Sequence, residues 1–382
     1  MRLVFFIHSL SCGGAERVTA TLANYWAEKD WDVSIVTLAA ETQDFYELHP
    51  NVRRIALCLA KERTNLVWGV TNNMHRVAAF RKVLKEEHPD VAVGMMTTAS
   101  VLLGLAGVGM DQIVRIGSER IYPPMFPLGF PWERLRRLAY PCLDAVVTMT
   151  NRSAQWVADN TGARHVEVIP NPLVWPLPSQ PPRLNPEEYL KPGQRVLLGA
   201  GRLTEQKGFD LLIAAFAELA SRFPDWVLVI LGEGPLRSQL EGQVFAYGLQ
   251  GRVLLPGVAG NIGDWYQRAD IYVMSSRFEG FPNTLLEALA YGIPSVSFDC
   301  PTGPSDIIRH GVDGFLIPPG NLEELTQTLG HLMGDERLRR CLGVRALDVR
   351  ERFSVERIAA MWENLFVRLT EVKKARKRWR RF

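Results

Sequence analysis

The sequence predicts an α/β protein made of two doubly wound parallel-sheet domains. Short apolar runs alternate with longer helical patterns along the whole chain, which is the signature of parallel strands joined by crossover helices. At 382 residues, 47% hydrophobic and 22% charged, the chain is too long for one comfortable core. One proline-rich interruption divides the alternation into two series.

In the first series, strands are expected over 3–7, 33–38, 91–95, 113–116, 145–148 and 166–169, with amphipathic helices such as 16–29 and 74–87 between them. Residues 91–110 are uncharged and long enough to cross a bilayer. Thr97, Thr98 and Ser100 follow a five-residue apolar segment, however, and Gly104, Gly107 and Gly109 punctuate the rest. That composition predicts a buried strand, a short helix and a turn. The apolar run at the amino terminus stops at His8, too short for the core of a secretory signal.

The interruption spans 170–192 and holds eight of the 24 prolines. Proline gives up a backbone donor and breaks both regular structures, so the stretch reads as a linker. The second series places strands over 196–201, 227–231, 253–255, 271–274, 294–298 and 314–317, with helices such as 210–222 and 283–290. The domains expected are 1–170, a linker over 171–192, a second domain over 193–352, and a C-terminal helix and basic tail over 353–382 that returns to the first domain. Ligands of such sheets sit beyond the carboxyl ends of the strands, so two such edges facing each other make a cleft.

Cys12, Cys58, Cys142, Cys300 and Cys341 show no C-x-x-C pair, which points to a reducing, cytoplasmic setting. The seven histidines have no metal-ligand spacing, and no metal site is expected. Asp30-Trp31-Asp32 precedes a strand and reads as a turn. The last twelve residues, EVKKARKRWRRF, carry seven of the 44 Lys and Arg and one of the 41 Asp and Glu. The remainder therefore changes from +3 to −3, and the basicity is local. With Trp379 and Phe382 the tail suits an anionic lipid surface, the plainer reading being a solvated tail. No nucleic-acid motif accompanies it. Residues 121–140 mix Met125, Phe126, Phe130 and Trp132 with Arg134, Arg136 and Arg137, which suits either a membrane interface or a loop packed on its own domain.

Three motifs carry chemistry. Gly13 and Gly14 lie where a strand gives way to a helix, either to bring backbone N–H groups to an anion or to serve a tight turn. Arg202 and Lys207 flank a glycine-rich strand end, an arrangement suited to a diphosphate. Glu279 and Glu287 stand eight residues apart around Gly280, Phe281, Pro282, Asn283 and Thr284. The first carboxylate is placed to accept from sugar hydroxyls, the second from a ribose or to serve its helix dipole.

This combination, E-x7-E with the Gly-Arg-Leu…Lys-Gly loop upstream and Ser-x-Gly-Gly-Ala-Glu-Arg near the amino terminus, resembles retaining glycosyltransferases of family 4. The resemblance implies the GT-B fold, two Rossmann-like domains facing each other across a cleft. It implies Arg202 and Lys207 on the donor diphosphate, Glu279 on the donor sugar and Glu287 on the ribose. The amides of Gly13 and Gly14 and of 280–284 would meet phosphates and sugar. It also implies retention without a metal, a cofactor or an enzyme nucleophile, and a nucleotide-sugar donor, UDP-linked. Ser118-Glu119-Arg120 and the segment from Asp299 to Pro304 resemble enzymes that add hexoses or N-acetylhexosamines to polyprenyl-diphosphate-linked or surface-polysaccharide intermediates. Glu119 and Arg120 are then contacts for acceptor or phosphate, although relatives often carry histidine near 120. Asp306 stands where relatives often have glutamate. An enzyme of this kind is expected in the cytoplasm, peripheral to the inner face of the membrane. The alternatives are a nucleotide-sugar-binding protein without catalysis, or another GT-B activity such as epimerisation or phosphorolysis.

Overall fold

The computed structural model of the protein describes residues 1–60 and 66–379. The chain divides into two compact units, one of Met1–Pro172 with Val355–Phe382 and one of Leu173–Ser354.

The first unit is built on a parallel sheet of seven strands: β1 (Arg2–Ile7), β2 (Asp32–Thr37), β3 (Val52–Ala56), β4 (Val91–Met95), β5 (Val114–Ser118), β6 (Ala145–Thr148) and β7 (Val166–Val168). Their order across the sheet is β3-β2-β1-β4-β5-β6-β7. The central strands are buried on both faces, which is why they read as unbroken apolar runs rather than as alternating ones. β3 escaped the sequence reading because it is an edge strand with consecutive arginines. Arg53 pairs with Glu87 at 2.6 Å and Arg54 with Asp44 at 2.7 Å, so charge replaces the apolar pattern there. The uncharged stretch after Asp90 resolves into β4 and the ten-residue helix Thr97–Ala106, both buried. Among the described residues, no helix is long and apolar enough to cross a membrane.

The chain returns to this unit through the helix Val355–Trp379. Trp362 and Phe366 are buried, Phe366 lies 5.5 Å from the Trp26 ring, and Trp26 donates its indole N–H to Glu363 at 2.8 Å. Burying each ring is worth ~2–3 kcal/mol, enough to hold the helix in place. The helix runs on into the basic tail, and the first cation of that tail belongs to the fold. Lys373 lies 2.7 Å from the Asp144 carboxylate, both largely shielded from water. Arg380, Arg381 and Phe382, part of the expected lipid contact, lie outside the described residues.

The second unit carries a parallel sheet of six strands: β8 (Arg195–Ala200), β9 (Trp226–Leu231), β10 (Val253–Gly257), β11 (Ile271–Met274), β12 (Ser295–Phe298) and β13 (Gly314–Ile317). Their order is β10-β9-β8-β11-β12-β13. The proline-rich stretch is a strap on this unit from Leu173 onward, not a free linker. Asn261 accepts from the Leu184 N–H at 2.8 Å and donates to its carbonyl at 3.0 Å, and Trp265 donates to the same carbonyl. Side chains supply the partners that a proline-rich backbone cannot find in a sheet.

Candidate functional site

In the second unit the chain leaves β8 for one flank of the sheet and returns at β11 to begin the other. The loops after these two neighbouring strands meet at the topological switch point, where doubly wound sheets bind ligands. Arg202 and Lys207 lie on the first loop, Glu279 on the second, and Glu287 on the helix Asn283–Ala290 that follows it.

Close backbone approach fixes the two loops. Gly208 has φ +61°, and a Cβ there would stand 2.1 Å from the Ser275 carbonyl oxygen. Only glycine allows that contact. Arg277 locks the same junction with a two-pronged pair to Asp210 at 2.7 and 2.9 Å, and its own N–H donates to the Gln206 carbonyl at 2.7 Å. Lys207 is thereby brought to Glu279, Nζ to Oε1 at 2.6 Å. Ser276 donates to the same oxygen at 2.6 Å, while Oε2 accepts no hydrogen bond from any described residue. Glu279 is 7% exposed, so one edge of its carboxylate is held and the other is open to accept.

Arg202 is exposed, and its guanidinium bonds to no described residue. Glu287 is buried and accepts from the Tyr266 hydroxyl at 3.1 Å. Thr284 accepts from the Tyr272 hydroxyl at 2.8 Å, and burial pushes that phenol well above its usual range. Phe281 and Pro282 are buried, with the Phe281 ring 5.7 Å from that of Phe353. Gly280 and Asn283 flank them, half-buried at the start of the helix. Behind this turn Thr302 donates to the Glu279 carbonyl and Gly303, at φ +101°, packs against Pro282. Asp306 accepts from the Gly303 N–H at 3.2 Å, and burial raises its carboxyl above the ordinary range.

Ser276, Tyr266 and Tyr272 are supporting residues that the sequence reading missed. Ser276 stands within the Glu279 motif and was legible in principle. The tyrosines lie on other elements, out of reach of any local spacing.

In the first unit Gly13 and Gly14 open the helix Gly14–Ala27, as expected, but the anion position there is partly filled. The Gly13 N–H donates to the Tyr46 hydroxyl at 3.3 Å, and Tyr46 donates to the Gly13 carbonyl at 2.8 Å. The Glu16 carboxylate covers Gly13 so closely that a Cβ would lie 2.2 Å from it. Gly13 has φ −169°, extended backbone that any residue adopts, and the contact is with the movable end of the Glu16 side chain, so neither conformation nor packing demands glycine there.

Glu119 and Arg120 part company. Glu119 is fully buried and spent inside the unit: Tyr140 and Thr97 donate to it, the latter at 2.7 Å, and Arg136 lies 3.8 Å away. Burial nonetheless raises its carboxyl above the usual range. The reading of Glu119 as an acceptor contact is corrected, because its carboxylate faces core partners. Arg120 donates one Nη to Asn171 at 2.7 Å and lies 5.6 Å from the Trp362 ring. Its Nε and Nη2 are buried without a partner among the described residues, and burial lowers its pKa to about 9. Two orphaned donors on a buried cation call for water or an anionic ligand. No group of three or more His, Cys, Asp or Glu among the described residues is placed to hold a metal ion.

The chain is similar to known proteins over most of its length. Residues 12–173 match the family model described as Glycosyltransferase Family 4, and residues 183–348 match Glycosyl transferases group 1. An exopolysaccharide phosphotransferase of Streptomyces coelicolor is 33% identical over 305 residues, 79% of this chain, which spans only 31% of that longer protein. A Campylobacter jejuni enzyme, 27% identical over 98% of this chain and 100% of its own, is named as an α-1,4-N-acetyl-D-galactosaminyltransferase acting on a diNAcBac-PP-undecaprenol-linked glycan. The solved structure of Anabaena HepE with UDP superposes with a TM-score of 0.75 at 19% identity, over 96% of this chain and 100% of that one. The chain is an enzyme of the glycosyltransferases, a member of family 4 with the GT-B fold.

Proposed function

We propose that the protein transfers a hexose or N-acetylhexosamine from a UDP-sugar, with retention and without a metal, to a polyprenyl-diphosphate-linked or other glycan acceptor. The observation that carries the reading is the Lys207–Glu279 pair at the β8/β11 switch point, beside the uncommitted Arg202. Lys207 and Arg202 put two positive charges where a diphosphate departs, and charge developing on the leaving group is what they stabilise. The open Oε2 of Glu279 accepts from donor hydroxyls, and Glu287, oriented by Tyr266, accepts from the ribose. The amides at the start of the helix Asn283–Ala290 face the phosphates. The departing phosphate takes the acceptor proton on the same face of the sugar. Glu279, the carboxylate assigned to the sugar, is already clamped by Lys207 and Ser276, unlike the free acid and nucleophile pair of retaining glycosidases.

UDP in the related HepE structure supports the choice of base, and the name of the Campylobacter relative supports a lipid-borne acceptor. Arg120, with two unused donors, is the residue of the first unit assigned to an acceptor phosphate. The five unpaired cysteines support a cytoplasmic enzyme working at the inner face of the membrane, with the basic tail drawn to anionic lipid.

Purified protein incubated with a panel of nucleotide sugars, with and without polyprenyl-diphosphate-linked acceptor, tests the proposal. A transferase releases nucleotide only when the acceptor is present. An epimerase changes the sugar without an acceptor, and a binding protein changes nothing; either result overturns the reading.

A further inference from the structure

Residues 121–140, which the catalytic reading does not use, form an unusual surface in the first unit. The helix Phe130–Ala139 packs one side inward: Arg136 and Ala139 are buried, and Trp132 and Leu135 lie against the core. Its other side carries Phe130, Arg134, Arg137 and Leu138, all exposed. At about 100° per residue these four fall within about a third of the helix circumference, so they make one face. The loop before the helix adds Met125 and Phe126 on the same exposed segment. Exposures of 38% for Met125, 52% for Phe126, 72% for Phe130 and 67% for Leu138 place four large apolar side chains in water within fourteen residues. No other stretch of that length among the described residues does so.

The charge on this face has one sign. Arg134 lies 5.2 Å from the Phe130 ring, and Arg152, also exposed, 5.8 Å from Tyr122 at its border. The one acid of the helix, Glu133, is turned to the buried Arg136 at 2.8 Å. Projecting aromatic and aliphatic tips with arginines between them match a headgroup layer, where apolar side chains enter the acyl boundary and cations stay at the phosphates. A protein groove would have to neutralise the same arginines with buried acids, at greater desolvation cost.

We infer that residues 124–138 are the surface with which the first unit rests on an anionic bilayer. The inference rests on the proposal of a lipid-borne acceptor only for its purpose. It also shifts the principal membrane contact from the C-terminal tail, whose Lys373 is held by Asp144, to this face.

Co-sedimentation of the full chain with phosphatidylcholine vesicles, with and without phosphatidylglycerol, tests it. Wild-type protein should bind the phosphatidylglycerol vesicles. The Phe126→Ser/Phe130→Ser/Leu138→Ser variant should bind at least tenfold more weakly, and Arg134→Gln/Arg137→Gln should lose on the order of tenfold of its preference for anionic lipid. Phe245→Ser, which removes an equally exposed ring from the second unit, should bind as wild type does. The inference is overturned if the wild type ignores vesicles, if the triple variant binds unchanged, or if Phe245→Ser weakens binding as much. It is likewise overturned if only removal of 371–382 releases the protein. Sugar transfer is assayed separately on a short-chain acceptor in detergent: failure there sinks the transfer reading and leaves this one standing.

Discussion

Replacing Lys207 by Met separates the ion pair that its ammonium group makes with Glu279 from the charge stabilisation proposed for it. In the resting protein Nζ is 2.6 Å from Glu279 Oε1, with the lysine side chain 19% and the glutamate 8% exposed. Breaking a fully buried pair costs ~3–5 kcal/mol, and access of water to the loop edge reduces that here to ~1–2 kcal/mol. Spread over a unit of this size, such a loss lowers its melting temperature by about 2–8 °C. During transfer the leaving diphosphate gains one negative charge. A cation about 4 Å from that charge contributes ~4 kcal/mol at an effective dielectric of about 20, and about half of it if bond cleavage is half complete. Turnover of Lys207→Met should therefore fall by about thirtyfold to about a thousandfold. Arg202→Ala should show a loss of similar size with no change in melting, because the Arg202 guanidinium bonds to no described residue. Nucleotide release under saturating donor, paired with thermal melts, reads both quantities. Turnover within threefold of wild type in either variant would refute the assignment of charge stabilisation to this loop.

Glu279→Gln should impair transfer while leaving affinity for bare UDP near wild type, whereas Glu287→Gln should weaken UDP itself; calorimetric titration with UDP separates them. Tyr266→Phe, which removes the hydroxyl 3.1 Å from Glu287, should reproduce a milder form of the Glu287 defect, raising KM for donor more than it lowers kcat. Glu119 has its carboxyl raised by burial, so its contribution to stability is complete below the ordinary glutamate value of 4.5 and declines as pH rises through the higher folded value. Glu119→Gln should accordingly gain stability relative to wild type as pH rises across that window, in urea melts at successive pH values. Lys373→Met should lower stability by ~1–2 kcal/mol by leaving the largely buried Asp144 with Arg115 alone, whose backbone N–H donates at 2.8 Å and whose guanidinium stands 3.8 Å away, and an unchanged melt would show that the end of the last helix does not contribute.

Much of the architecture was legible because parallel sheets covered on both faces leave continuous apolar runs. β4, β6, β11 and β13 fall on the residues their composition predicts. β3 was not legible, because an edge strand can hold Arg53 and Arg54 against acids and show no apolar pattern. The approach of Lys207 to Glu279 is 72 residues apart in sequence and depends on two strands becoming neighbours, yet each residue stood in a recognisable motif. Tyr266 and Tyr272 had no such motif. Glu119 misled for a physical reason: a strand-end glutamate beside an arginine looks the same in sequence whether it faces solvent or, as here, Tyr140 and Thr97. The proline-rich strap misled likewise, since the side chains of Asn261 and Trp265 that hold it lie some eighty residues downstream.

In the proposed reaction a sugar leaves UDP with retention at the Arg202–Lys207–Glu279 cluster. Proton NMR of the product formed from a UDP-sugar and a polyprenyl-diphosphate-linked acceptor, in the presence of a chelator, tests it most directly. The account predicts an axial anomeric linkage matching that of the donor, formed by wild type and lost in Glu279→Gln. An inverted anomeric centre, or no product until a divalent metal is restored, would contradict it.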